Sequence, residues 1–78
     1  MNADLYVQVE PRNINYLNRI MEGYEYLGMV TTLDRQAGIL RIRCTSDTRL
    51  ETQELLSTLK IPLRFLSDSI VAALGKRE

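Results

Sequence analysis

The sequence predicts an α+β domain of order βαββαβ, a two-layer sandwich whose four-stranded antiparallel sheet carries two helices on one face, followed by a short C-terminal helix. Three observations lead there. Apolar residues recur first at every second position, then at three- and four-residue spacing, and this sequence of periods repeats along the chain. The prolines and three of the four glycines fall at or beside the changes of period, while Gly28 lies within a strand run. With 78 residues, 45% of them hydrophobic and 26% charged, the chain has room for one core only, which excludes two-domain enzymes.

The first strand is Asp4 to Glu10, where Leu5, Val7 and Val9 alternate with Tyr6, Gln8 and Glu10. Pro11 has no amide to give a sheet ladder but suits the first turn of a helix. Ile14, Leu17, Ile20, Met21 and Tyr24 then mark a helix over residues 11–23, with Asn13, Asn15, Asn18 and Arg19 on its wet side and Gly23 as its stop. Residues 26–33 and 38–44 flank a turn, Asp34-Arg35-Gln36-Ala37-Gly38, and read as a β-hairpin. In its second arm Leu40, Ile42 and Cys44 share one face, and Ile39, Arg41 and Arg43 the other. In its first arm Leu27, Met29 and Leu33 share a face, with Val30 opposite.

Thr48 with Glu51 makes a capping box, with Asp47 as the alternative cap, for a second helix whose apolar stripe is Leu50, Leu55, Leu56 and Leu59 and whose end carries Lys60. Residues 61–66 form a short edge strand, because Pro62 is tolerated only at a strand start or sheet edge. Ser67 or Asp68 caps the last helix, which runs to Gly75 and a charged tail. The domain therefore spans residues 1–66, with residues 67–78 as a helical extension and tail. The order is the split βαβ arrangement of ferredoxin-like sandwiches. It places Leu40, Ile42 and Cys44 inward beside Leu5, Val7 and Val9, the two segments being taken as parallel neighbours roofed by both helices.

Ten basic and ten acidic side chains cancel, and the pI is near 6.2, which argues against nucleic acid or an anionic membrane as a partner. The distribution is uneven: residues 1–34 carry a net −3, residues 35–49 a net +3 and residues 50–78 balance. Such segments serve either one molecule or a dimer. Eight of the ten basic residues are arginine, a residue enriched at interfaces, although base composition of the genome accounts for this equally well. One cysteine, Cys44, excludes an internal disulfide and indicates a reducing cytoplasm. The N-terminal residues have no signal-peptide pattern, and no apolar run approaches the roughly 18 residues of a membrane span.

The chain contains no histidine, so the commonest general base and a common zinc ligand are missing. Glu22 with Glu25 and Glu51 with Glu54 are the only close acidic pairs, and solvated helix charges account for them. Cys44 ends a buried strand face and reads as inert. The four glycines do not form a phosphate loop, and one thiol cannot hold an iron–sulfur cluster. We therefore expect no catalytic residue, no metal and no cofactor. An RNA-recognition sheet would stack bases on aromatics, but Gly38 to Arg43 has none.

The wet sheet face should carry Tyr6, Gln8, Ile39, Arg41 and Arg43, a mixture with interface composition, with Tyr26 and Val30 as further candidates on the same side of the hairpin. Sheet face and sheet edge are both open as routes to a homodimer, and an unidentified protein is the other partner considered. Glu10, Arg12 and Asn13, at the N-terminus of the first helix, are the candidate ligand-binding residues, because that terminus favours an anionic group.

The stretches Tyr6-Val7-Gln8-Val9-Glu10-Pro11, Tyr26-Leu27-Gly28-Met29-Val30 and Gly38-Ile39-Leu40-Arg41-Ile42 resemble a small bacterial family of domains of unknown function. More distantly the pattern, running to Leu59, is similar to ACT-type regulatory domains. That resemblance implies pairing through sheets or helices and an amino acid or carboxylate held between first strand and first helix. The expectation is a non-catalytic, cytoplasmic interaction module that self-associates, with ACT-like ligand sensing as the alternative.

Overall fold

In the computed structural model, which describes residues 3–67 and 69–71, the strands β1 (Leu5–Val9), β2 (Met29–Asp34), β3 (Ile39–Arg43) and β4 (Leu63–Leu66) form one sheet of order β2-β3-β1-β4. Helix α1 (Ile14–Glu22) follows a 3-10 turn at Pro11–Asn13, and α2 (Arg49–Ser57) joins β3 to β4. This is the ferredoxin-like sandwich expected. Leu5, Val7 and Val9 of β1 meet Leu40 and Ile42 of β3 under Ile14, Leu17 and Met21 of α1 and Leu56 of α2, so both helices roof one sheet face.

All strand neighbours run antiparallel, and β1 lies against β3 with Leu5 opposite Ile42 and Val7 opposite Leu40. The expected parallel relation of these two segments is therefore corrected. The crossover through α1 brings β2 back parallel to β1, and the hairpin then reverses the chain, so β3 must oppose β1.

The hairpin turn depends on Gly38. Its φ of 74° is left-handed, and Asp34 Oδ1 accepts the Ala37 amide at 3.0 Å to close the loop. The Gly38 carbonyl also accepts the Val9 amide at 2.9 Å, which docks the turn onto the end of β1 so closely that a β-carbon would strike the Val9 carbonyl.

The first hairpin arm differs from its predicted phase. The chain leaves α1 through turns in which Tyr24 donates to the Met21 carbonyl at 2.9 Å and Leu27 to that of Tyr24 at 2.8 Å. Leu27 and Gly28 are then both buried, which interrupts the alternation. A β-carbon on Gly28 would stand 2.8 Å from the Arg43 carbonyl and 3.0 Å from Ile42 Cγ2, so backbone passes there without a side chain between. Beyond that point Val30 and Thr32 turn toward the helices, whereas Met29 is 69% exposed. Val30 is thus absent from the wet face, and Tyr26 stands exposed ahead of the strand.

Helix α2 is also rotated from expectation. Its inward stripe is Thr52, Leu55, Leu56 and Leu59, at the i, i+3, i+4, i+7 spacing of one helix face. Leu50 lies two residues before Thr52, about 200° round the axis, and is 68% exposed. The buried Thr52 hydroxyl donates to the Thr48 carbonyl at 2.7 Å and lies 3.3 Å from that of Leu27. No capping box forms, because Thr48 is engaged one turn earlier: its Oγ1 accepts the Thr45 amide at 3.1 Å, and Thr45 Oγ1 accepts the Thr48 amide at 3.3 Å.

Pro62 stands just outside β4, which is an edge strand as expected. Ser67 Oγ accepts the Ile70 amide at 3.3 Å at the start of helical residues 69–71, while Asp68, Gly75 and the tail lie outside the described residues.

Two contrasts test this packing by urea unfolding. Leu56→Ala should cost about 2–5 kcal/mol, whereas Leu50→Ala should stay within about 0.5 kcal/mol; equal losses would contradict the rotation of α2. Gly38→Ala should destabilise by at least roughly 1–2 kcal/mol from the left-handed backbone alone, while Gly23→Ala, in right-handed backbone with its nearest contact at 3.5 Å, should stabilise by about 0.4–1 kcal/mol.

Candidate functional site

Two surfaces hold the residues singled out from the sequence, one on a face of β1 and one adjoining it at the end of that strand. The first is the sheet face away from the helices. Pairing puts Tyr6 in one row with Arg41 and Leu66, and Gln8 in the next with Ile39 and Arg64. Arg43 continues β3 opposite Met29. The structure thus brings Tyr6, Gln8, Arg41 and Arg43 onto one surface.

Ile39 shares that side but is only 4% exposed, so it offers little to a partner, contrary to its expected place on a wet face. It lies outside the contiguous core, opposite Gln8, where the β2 register shifts between Thr32 and Asp34. Gln8 itself is tied down, its Nε2 donating to the Ala37 carbonyl at 3.0 Å. Arg41 Nε stands 3.9 Å from Asp4 Oδ2 and is shielded from water. Arg43 and Arg64 are exposed. The face is basic, with Asp4 as the acid beside it. Arg64 was missed in the sequence reading, although its alternation with Phe65 in a strand pairing β1 is the signal that places it.

The second surface is the end of β1. Glu10 is extended, and its carbonyl accepts the Asn13 amide at 2.8 Å, which starts the 3-10 turn at Pro11. Arg12 Nε lies 3.0 Å from Glu10 Oε2, and both side chains are largely in water. The two charges therefore compensate each other in the first instance. Asn13 precedes α1 without a side-chain capping bond. Beside Glu10 and Pro11 opens a groove of about 450 Å³, lined mainly by apolar atoms of Val9, Ala37, Pro62 and Leu63 and flanked by Arg64. Glu10 borders the groove; Arg12 and Asn13 do not line it.

Cys44 is half-buried against the core, with its thiol donating to the Ile42 carbonyl at 3.5 Å. Burial pushes the thiol pKa up, the Asp4 carboxylate adds to this, and the Thr52 hydroxyl and Arg49 oppose it. The thiol is thus protonated near neutrality and a poor nucleophile. Arg49 also anchors the start of β1, its Nη1 donating to the carbonyls of Ala3 and Asp4, each at 2.8 Å. Among the described residues no group of three or more His, Cys, Asp or Glu side chains is placed to hold a metal ion. Nor is any helix among them long and apolar enough to cross a membrane.

A third feature was read from the sequence only at Tyr26. Met29 at 69% and Leu33 at 39% exposure leave core-type side chains in water along β2, one of the two edges of the sheet, and Tyr26 at 68% stands exposed ahead of it. The shifted phase at Gly28 puts Met29 outside, and a pattern of hydropathy alone would have placed it within.

Comparison with known proteins bears on these surfaces only through the family. No curated protein and no solved structure matches the chain. The family model described as Domain of unknown function (DUF4911) matches residues 7–62, from the middle of β1 to the threshold of β4. Covering well over half of the 78 residues, the match shows that this chain belongs to the DUF4911 family.

Proposed function

We propose that this protein is a non-catalytic interaction module of the cytoplasm that works by self-association. The observation that carries the reading is the set of exposed apolar side chains at one sheet border, where Met29 and Leu33 stand in water on β2, whose outer edge pairs with no other strand among the described residues, and Tyr26 is exposed just ahead of it. Small cores gain from such association, since a chain of this size buries a limited share of its apolar surface alone. The residue set supports a non-catalytic role: the chain lacks histidine, and Cys44, the thiol, is driven toward its neutral form by burial. The lone thiol suits a reducing compartment.

A second reading, ACT-like sensing of a small carboxylate at Glu10, Arg12 and Asn13, draws on the groove beside Glu10. In that reading an incoming carboxylate takes Arg12 from its exposed partner Glu10.

Sedimentation of the full chain from micromolar to millimolar concentration should show a concentration-dependent dimer; a monomer throughout would end the first reading. For the second, amino acids and small carboxylates should raise the melting temperature, a ligand at a hundred times its Kd adding about 2.7 kcal/mol. Glu10→Gln should strengthen that response by releasing Arg12, and an unmoved melting temperature in both proteins would dispose of the sensor.

A further inference from the structure

Resting on the self-association reading above, we propose that two copies join through β2, strand to strand about a two-fold axis at Thr31, into one continuous sheet twice as wide. The two borders of the sheet differ in kind. The β4 border is four residues long, follows Pro62 and carries Arg64, the features by which edges resist pairing. The β2 border is six residues long, and its first five, Met29-Val30-Thr31-Thr32-Leu33, contain neither charge nor proline, Asp34 closing the strand.

That strand is complementary to itself. Residues directly opposed in an antiparallel ladder share a face, so a two-fold axis must pass through a residue rather than between two. An axis at Thr31 sets Met29 against the second copy's Leu33 and Val30 against its Thr32. The first pair covers two exposed apolar side chains. Leu33 is the extra residue where the β2–β3 register shifts between Thr32 and Asp34, which releases it from the ladder on its own side and leaves Met29 to Thr32 regular.

Charge separates this arrangement from its rival. Stacking two copies by the unroofed faces would bring Arg41, Arg43 and Arg64 of one copy over those of the other, with Asp4 already beside Arg41. Like charges opposed at close range are destabilising. Edge pairing opposes only neutral side chains over residues 29–33, and sets Asp34 opposite Gly28, which has no side chain. It also leaves room on the helix side, where a trough of about 310 Å³ runs between α1 and β2 past Met21, Val30 and Thr32.

The test uses the full chain. Thr31 is exposed, so Thr31→Lys should keep the circular dichroism of the parent while placing two ammonium groups at the axis and weakening dimerisation at least about tenfold. Arg64→Gln on the opposite border should change it less than about twofold. Independently of any variant, the amides of residues 29–33 should gain hydrogen-exchange protection as concentration rises. A dimer that survives Thr31→Lys as well as it survives Arg64→Gln, or that forms without added protection at residues 29–33, overturns the β2 interface while self-association stands. If Thr31→Lys does not fold, the exchange measurement alone decides between these. An unmodified chain that stays monomeric overturns both.

Discussion

The inward face of β1 is the constraint on which the rest of the structure depends. Leu5, Val7 and Val9 are each at most 4% exposed, and β3, β4 and both helices are placed against this strand, with β2 added outside β3. Strand β3 pairs one side and β4 the other, so β1 has no free backbone edge. Ile14, Leu17 and Met21 of α1 and Leu56 of α2 close over it. Because opposed residues in the ladder share a face, Leu40 and Ile42 follow into the core once Val7 and Leu5 are there. The end of β1 is as tightly held as its middle, since the Val9 backbone meets the hairpin turn at Gly38.

A second, polar junction sits where α2 begins. Thr52, fully buried, spends its hydroxyl on backbone carbonyls of Thr48 and Leu27, which links the start of α2 to the segment that enters β2. A buried hydroxyl without such partners would cost on the order of 1–3 kcal/mol, so its position fixes the rotation of α2 as firmly as the leucines do. Arg49, one turn before, donates to the Ala3 and Asp4 carbonyls and draws the same helix end to the start of β1. Cys44 packs between these contacts, and its raised pKa is a consequence of that enclosure.

The surfaces left over are unequal, and the inequality gives the functional reading its shape. One sheet face is roofed and the other presents arginines around Tyr6 and Gln8. One border is short and guarded, while the other is longer and uncharged from Met29 to Leu33. The charge asymmetry seen along the chain resolves in part into this geometry: of the arginines between residues 35 and 49, Arg41 and Arg43 line the unroofed face, whereas Arg49 is consumed in holding the chain together. A balanced net charge thus hides a basic face, and any partner on that face would have to be acidic or neutral.

Alternation in Leu5 to Val9 and in Leu40 to Cys44, and the helical spacing of Ile14, Leu17 and Met21, settled by themselves the order of elements and the faces that β1, β3 and α1 bury. Those patterns report side-chain hydropathy at short range, which suffices where every residue in a run obeys it. Tertiary structure decided the rest. Met29 faces water and Val30 the core because Gly28 passes against the Arg43 carbonyl and shifts the phase of β2. Thr52 displaces Leu50 from the core because a carbonyl 25 residues earlier in the chain is there beside it. Ile39 is buried on the unroofed face rather than offered to a partner. Of the candidate site residues, the grouping of Tyr6, Gln8, Arg41 and Arg43 was legible from alternation, but the pairing of Arg12 with Glu10 and the addition of Arg64 were not. Except for Arg12 and Glu10, two residues apart, the deciding group is distant in sequence, and hydropathy periods carry no information about which backbone or side chain will arrive to meet a given residue.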